Sequence, residues 1–235
     1  MAEDDPLRDF DPFDIFDAEA ARLDRFFSGL DESGWARPSR CEGWSVRDVL
    51  AHLAGEEMYN HACLDGTVQE LMGRLSDEGI TGFNDFNEWC VRRRRDLPVE
   101  EVLAEWRTKN GETRRRMREL GPDATLQTMA GPYPNGLQTF HYDSEYATHA
   151  DDVGAPVAEE EADGRTLWRV AVGRFALGER DSKVQVEQTA EQVWVAADGA
   201  TATLSYPEFV AATVGRLPAS HGLDPRLASA LRCLA

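Results

Sequence analysis

The 235-residue sequence has little that would place it in a membrane or in an oxidising compartment. No apolar run approaches the roughly 20 residues that a membrane-spanning helix needs. The acidic start, MAEDDPLRDFDPFD, lacks the basic and apolar regions of a secretory signal peptide. The four cysteines form no C-x-x-C pair and lie far apart, at Cys41, Cys63, Cys90 and Cys233. We therefore predict a cytoplasmic protein without a disulfide framework or a structural cysteine–zinc site.

Basic side chains are also scarce, with 25 lysines and arginines against 43 aspartates and glutamates and a formal net charge of −18. Such a surface repels nucleic-acid phosphates and anionic lipids, so neither a nucleic-acid nor a membrane partner is expected. Two arginine runs, 92–95 and 114–116, are the exception. Consecutive helical residues point in all directions, so we expect these arginines to pair with nearby acids. The charge is compatible with a monomer or a small homo-oligomer.

What the sequence does contain is a run of amphipathic helices followed by a change of pattern. Apolar residues recur every three or four positions in four long segments, which predict helices over 15–30, 45–63, 98–120 and 137–153. Shorter helices are predicted over 67–75 and 83–95, and loops over 31–44 and 121–136. Four long helices favour a four-helix bundle. We predict an acidic, disordered leader over 1–13, a bundle over 14–155 and an acidic linker over 156–164.

The last segment, 165–235, predicts a small α+β domain. Alternating residues indicate strands over 183–188, 192–197 and 200–205, with Asp198-Gly199 as the turn between the last two. Helices are predicted before and after them, over 165–177, 206–217 and 225–234. The fold class is thus mainly α, a bundle followed by a small α+β unit.

The most informative segment for chemistry is HYDSEYATHADDVG, residues 141–154. Glu145 and His149 lie four residues apart, so they project from one face of a helix about one turn apart. A buried carboxylate beside a buried imidazole favours a divalent metal, and His52 on the second long helix is the candidate third ligand. Two histidines and one glutamate with an open fourth position are typical of catalytic zinc. His141 is the reserve ligand, ahead of His61 and His221.

Simpler interpretations remain open for each of these residues. A Glu-x-x-x-His pair on a helix is often only a solvated or hydrogen-bonded pair, and a histidine on an apolar face is usually a core residue. Cys41 has no histidine at a spacing that would predict a nucleophilic pair. The sequence has no G-x-S-x-G, P-loop or G-x-G-x-x-G motif, so a serine-hydrolase elbow and a nucleotide-binding fold lack support.

The segment WARPSRCEGWSVRDVLAHLAG, residues 35–55, closely resembles the opening motif of the mycothiol-dependent maleylpyruvate isomerase family. The segment EYATHADDVG, residues 145–154, resembles that family's later Glu-x-x-x-His motif. The resemblance covers the bundle and implies a DinB-like metal-binding fold with His52, Glu145 and His149 as zinc ligands. It also implies an arginine from the C-terminal domain that binds an acidic substrate, and FVAATVGR makes Arg216 its counterpart. The final segment, 217–235, does not align with the isomerases, which leaves the substrate open.

The resemblance implies a zinc- and mycothiol-dependent isomerase or thiol transferase acting on a small electrophile. Zinc, or another divalent metal, would lower the pKa of a bound thiol so that the thiolate attacks an unsaturated acid. Asp151 or Asp152 could orient a ligand histidine. Two alternatives stand beside this one: a zinc hydrolase with Glu56 as general base, and a non-catalytic bundle that binds a metal or small ligand and contacts a protein partner.

Overall fold

The computed structural model describes residues 5–180 and 182–234. The chain divides into two compact units. One is Pro12–Pro156, and the other combines residues 5–11 with residues 157–234. The first unit is helical with one small hairpin, and the second combines helices with a three-stranded sheet. The predicted fold class, mainly α with a small α+β unit, is confirmed. Within the described residues, no helix is long and apolar enough to cross a membrane.

The secondary structure of the first unit comprises seven helices and two strands. They are α1 (Pro12–Ser28), α2 (Glu32–Ala36), α3 (Val46–Asp65), α4 (Val68–Asp77), α5 (Phe83–Arg92), α6 (Val99–Leu120), β1 (Thr125–Thr128), β2 (Gly131–Pro134) and α7 (Asn135–Val153). The second unit contains α8 (Glu159–Glu179), β3 (Gln185–Gln188), β4 (Gln192–Ala197), β5 (Ala200–Ser205), α9 (Tyr206–Thr213), a short 3₁₀ helix (Ala219–His221) and α10 (Pro225–Leu231).

The four long helices of the first unit, α1, α3, α6 and α7, enclose an apolar core. Its largest fully buried side chains include Phe16, Phe27, Trp106 and Tyr146. The rings of Phe27 and Trp106 meet edge to face with centroids 5.7 Å apart, a favourable aromatic arrangement. The rings of Phe16 and Tyr146 also meet edge to face, 4.9 Å apart, so these contacts join α1 to both α6 and α7.

Helix α3 begins and ends where local chemistry dictates. The Ser45 side chain accepts a hydrogen bond from the Asp48 amide, and the Asp48 carboxylate accepts one from the Ser45 amide. This capping box satisfies amides that would otherwise lack partners. Gly66 ends the helix in the left-handed conformation, at φ 69°. Within the helix, Gly55 permits the close approach of α5, since a Cβ there would lie 2.3 Å from the Cys90 Cβ.

A buried carboxylate ties three of the long helices together. Glu57 on α3 is fully buried and accepts hydrogen bonds from Asn110 and Thr113 on α6 and from the Tyr146 hydroxyl on α7. The Trp106 indole donates to the same hydroxyl over 3.0 Å. Because a buried carboxylate is costly without such donors, these bonds fix the relative positions of α3, α6 and α7.

The second unit is an antiparallel sheet in the order β3-β4-β5, with helices against one face. Alternate residues of β4, Val193 and Val195, are buried, as the strand pattern predicts. The turn between β4 and β5 has Asp198 at φ 50° and Gly199 at φ 77°, the positive angles of a type I′ hairpin turn. These strands and this turn match the sequence prediction.

The structure corrects several predicted loops and boundaries. Segment 121–136 is not a simple connection but contains the hairpin β1–β2, which alternation over only four residues per strand could not reveal. Segment 31–44 contains α2, capped by Asp31. Residues 159–164 form the start of α8 rather than a linker. Three glutamates in its first turn stabilise the helix there, because their negative charges interact favourably with the positive end of the helix dipole. Helices α9 and α10 end earlier than predicted, at Thr213 and Leu231.

The predicted leader and the arginine runs can also be compared with the structure. Residues 1–4 of the leader lie outside the described residues, and residues 5–11 precede α1, which begins at Pro12. Most of these arginines pair with acids as predicted, for example Arg94 with Glu105 and Arg116 with Asp65. Arg93 instead lies over the Trp89 ring, 4.9 Å from its centroid.

Candidate metal centre

The candidate site lies where α3 and α7 face each other. The structure brings together the three side chains that were predicted as ligands, His52 from α3 and Glu145 and His149 from α7. His52 Nε2 lies 3.1 Å from Glu145 Oε1, and His149 Nε2 lies 3.8 Å from the same oxygen. One donor atom from each residue lies within 4.8 Å of the other two. We refer to these three residues as the triad.

The triad suits a divalent metal in both donor type and spacing. Zinc takes imidazole nitrogen and carboxylate oxygen at about 2.0–2.2 Å in tetrahedral geometry, which separates neighbouring donor atoms by about 3.3 Å. The distances from Glu145 Oε1 to the two histidine nitrogens, 3.1 and 3.8 Å, lie on either side of that value. The imidazole rings meet at 69° with centroids 4.9 Å apart. The residues therefore fit such an ion.

The charges within the triad favour a carboxylate between two nitrogen donors. Burial opposes ionisation of Glu145, but His52, a hydrogen bond with Glu56 and the charge of His149 outweigh it and lower the pKa of Glu145 to about 2. Burial lowers the pKa of His52 despite the neighbouring carboxylate. Burial also opposes the cationic form of His149, yet Asp152, Cys41 and Glu145 raise its pKa to about 10. A metal would thus compete with a proton for His149, because ligand nitrogens must be deprotonated.

A second layer of residues holds the ring of His149. Asp152 Oδ2 lies 3.3 Å from His149 Nδ1, on the side of the ring that faces away from Glu145. Asp152 is 3% exposed, whereas its neighbour Asp151 is only half-buried. Of the two aspartates proposed for this purpose, Asp152 is the one that faces the ligand histidine. Carboxylate–histidine pairs of this kind fix the ring that binds a metal.

Cys41 is the site residue that sequence reasoning missed. Its thiol donates to Asp152 Oδ2 over 3.2 Å and lies 3.7 Å from His149 Nδ1. Cys41, His149 and Asp152 form the other group of described side chains spaced closely enough to hold a metal. The signal is invisible in the sequence because 108 residues separate Cys41 from His149.

The loop that carries Cys41 is docked against both helices of the triad. The Arg37 guanidinium donates to the Val153 carbonyl, and the Arg40 amide donates to the Asp152 carbonyl. Trp44 places its ring 5.2 Å from the His52 ring, and its indole donates to Glu88 on α5. The loop thus forms one wall of the candidate site.

The other residues that the sequence offered as candidates lie outside the triad. Glu56 is the nearest, with Oε2 3.9 Å from His52 Nε2, and burial together with Glu145 and Glu57 raises its pKa well above the usual value. The remaining three histidines have partners elsewhere: His61 with the Lys109 carbonyl, His141 with the Tyr133 hydroxyl and His221 with Glu208. His141 is therefore not a triad ligand, since it lies one turn earlier on α7 beside the β1–β2 hairpin. Arg216 belongs to the second unit, and its role stays a prediction.

The fold of this chain is similar to that of two solved structures of one enzyme. The crystal structure of the mycothiol-dependent maleylpyruvate isomerase is similar in fold, with a TM-score of 0.63 at 16% identity over 92% of this chain and 94% of that one. The structure of a mutant of that enzyme gives the same TM-score at 15% identity and the same coverage. No curated protein matches the chain. The family model described as the mycothiol maleylpyruvate isomerase N-terminal domain matches residues 16–154, more than half of the chain. The protein therefore belongs to the mycothiol maleylpyruvate isomerase family, the enzyme family that its two sequence motifs predict.

Proposed function

We propose that this protein is a metal- and thiol-dependent isomerase for a small unsaturated acid, with mycothiol as the thiol. In this reaction the thiol adds to the double bond, the resulting single bond rotates, and loss of the thiol restores the double bond in the other geometry. The observation that carries the proposal is the convergence of His52, Glu145 and His149 within 4.8 Å. Family membership supports the thiol dependence.

Some residues of the site would bind the metal, and others would orient the residues that bind it. His52, Glu145 and His149 would hold the metal, with zinc as the ion that best suits this donor set. A divalent ion bound there would supply the positive charge that stabilises a thiolate near neutral pH. Asp152 would keep the His149 ring turned towards the triad, and Cys41 would keep the Asp152 carboxylate in place.

The substrate is the part of the proposal that relies most on the second unit. We propose that Arg216 neutralises a carboxylate of the substrate, as a guanidinium does in fork-like pairing with a carboxylate. Arg216 lies three residues after the end of α9, and its guanidinium lies 3.5 Å from the Val214 carbonyl. An Arg216→Lys variant that raises KM without lowering the metal content would support this role.

The first test is the metal content of the purified protein beside that of a Glu145→Ala variant. We expect about one divalent ion per chain in the parent and a large loss in the variant. Glu105→Ala is a matched control: its side chain is 24% exposed against 30% for Glu145, and it pairs with Arg94 in the same bundle. The control should keep its metal. If it loses metal as readily, the loss reflects the fold and contradicts the triad as the binding site.

The second test separates the isomerase from the two alternative functions. Isomerisation of unsaturated acids should require both the metal and added mycothiol, and should stop when either is omitted. Turnover that proceeds without any thiol would favour the hydrolase alternative. A protein that binds metal but turns over no electrophile with any thiol would favour a binding module.

A further inference from the structure

Cys41, Asp152 and His149 form a second set of metal donors beside the triad, and we call these three residues the sulfur site. Cys41 Sγ lies 3.7 Å from His149 Nδ1 and 3.2 Å from Asp152 Oδ2. That carboxylate oxygen lies 3.3 Å from the same ring nitrogen. A tetrahedral zinc ion with one sulfur, one nitrogen and one oxygen ligand separates these atoms by about 3.4–3.6 Å. The three donors are therefore already spaced as ligands of a single ion.

The position and exposure of Cys41 distinguish it from the other cysteines of the chain. The other three are buried, whereas Cys41 is half-buried, so an ion can reach its thiol from solvent. Cys41 lies on the loop before α3, while Asp152 and His149 lie on α7. The Arg40 amide donates to the Asp152 carbonyl over 3.0 Å and holds this loop against the end of α7. Backbone contacts thus place the thiol at the other two donors.

The chemistry of the donors in the sulfur site favours a thiophilic divalent ion. A thiol loses its proton when it binds such an ion, so the Cys41 thiolate and the Asp152 carboxylate together balance the charge of the ion. A soft sulfur ligand favours zinc or cadmium, whereas magnesium and calcium prefer oxygen ligands. The triad contains no sulfur ligand. The sulfur site should therefore prefer softer ions than the triad does.

The sulfur site and the triad share the imidazole ring of His149. Its Nε2 lies 3.8 Å from Glu145 in the triad, and its Nδ1 lies next to Cys41 and Asp152. A neutral imidazole has a lone pair on one nitrogen and a proton on the other. An ion in the triad uses the lone pair of Nε2 and leaves the proton on Nδ1. An ion in the sulfur site needs the lone pair of Nδ1, so the ring serves one ion at a time.

We propose that the sulfur site binds a thiophilic divalent ion and that this ion displaces the one in the triad. The second half of the inference rests on the proposed function, because it takes the triad to hold a metal. When the incoming ion binds, the Cys41 thiol releases its proton to solvent and the ring proton of His149 passes from Nδ1 to Nε2. The triad then keeps only His52 and Glu145 as ligands and releases its ion. An excess of thiophilic metal would thus inhibit the protein.

The test is a titration of the zinc-loaded full chain with cadmium, for the parent, Cys41→Ser and Cys63→Ser. A cadmium–thiolate bond absorbs in the ultraviolet by charge transfer, and a colorimetric indicator measures the zinc that is released. In the parent, this absorbance should saturate at about one cadmium per chain while zinc is released in parallel. Cys41→Ser should lack the absorbance and need at least about tenfold more cadmium to release zinc. Cys63→Ser, which removes a buried thiol of the same unit, should behave as the parent does.

Three results would overturn the inference. They are a parent without the charge-transfer absorbance, an absorbance of equal strength in Cys41→Ser, and an absorbance that develops while zinc stays bound. The last result would mean that the two sites do not compete for the His149 ring. Melting temperatures without cadmium establish that the variants are folded, and Cys41→Ala is the second variant without the thiol. Failure of the proposed function is separate, since it appears before the titration as a parent that binds no zinc, and the absorbance can still be measured on that chain.

Discussion

At the scale of single residues, Asp152 is the strongest candidate for a positioning role. It is buried, and Oδ2 lies 3.3 Å from Nδ1 of the ligand histidine His149. Asp152→Asn keeps the size of the side chain but removes the charge that holds the ring. We expect a loss of metal affinity of about 10–100-fold, the usual effect of removing such a partner. A competition titration with a chelator of known affinity measures it.

Asp151 offers the control for that experiment, because it precedes Asp152 in the chain and is only half-buried. Asp151→Asn changes the net charge equally and should leave metal affinity within about twofold, since a neighbouring surface charge contributes little. An equal loss in both variants would mean that overall charge, and not the contact with His149, sets the affinity.

The residue scale also shows what the sequence can and cannot predict about the site. Glu145 and His149 are predictable because a four-residue interval on a helix has a fixed geometry. The choice of His52 needs a second helix whose apolar face enters the same core. The contact of Cys41 with Asp152 cannot be predicted from the sequence, since it depends on how the loop before α3 folds back on the end of α7.

At the scale of elements, the relative position of α3, α6 and α7 depends on the hydrogen bonds around Glu57. Tyr146→Phe removes the hydroxyl that donates to Glu57 and accepts from Trp106. Because these groups are buried, we expect the free energy of unfolding to fall by about 1–3 kcal/mol. Urea denaturation at an unchanged m-value measures the loss.

Tyr133 provides the comparison for this prediction. Its hydroxyl lies 3.3 Å from His141 on the partly exposed side of the hairpin β1–β2. Tyr133→Phe should cost less than about 1 kcal/mol, since water can replace an exposed partner. An equal fall in the free energy of unfolding in Tyr146→Phe and Tyr133→Phe would show that the hydrogen bonds around Glu57 stabilise the fold no more than an ordinary surface contact does.

The long helices are the elements that the sequence predicts best, and the short ones are those that it misses. Over twenty residues, the apolar period and the capping box of α3 agree with each other, so its start is predicted to within one residue. The hairpin β1–β2 has only four residues per strand and contains two prolines, which favour a loop in a local pattern. Its pairing is decided by packing, with Leu126 and Thr128 buried.

At the scale of the whole molecule, the residues of the candidate metal centre named above belong to one unit. The triad, Asp152 and Cys41 all lie within Pro12–Pro156. The buried apolar clusters of that unit, from Phe13 to Ala155, also lie within its bounds. A helical domain of this length can bury a sufficient core by itself. The sequence motifs lie in the same unit, which is why they predict metal chemistry better than the substrate.

A chain of residues 12–156 should therefore fold and bind about one divalent ion. We expect cooperative thermal unfolding, with a melting temperature that rises on addition of zinc because the ion binds only the folded state. The same chain carrying Glu145→Ala should unfold cooperatively without that rise, which separates folding from binding. Since Arg216 is absent from this chain, affinity for an unsaturated acid should fall relative to the full protein while metal affinity stays within a few-fold. Loss of the metal from a folded chain of residues 12–156 would instead mean that the second unit contributes to the metal centre.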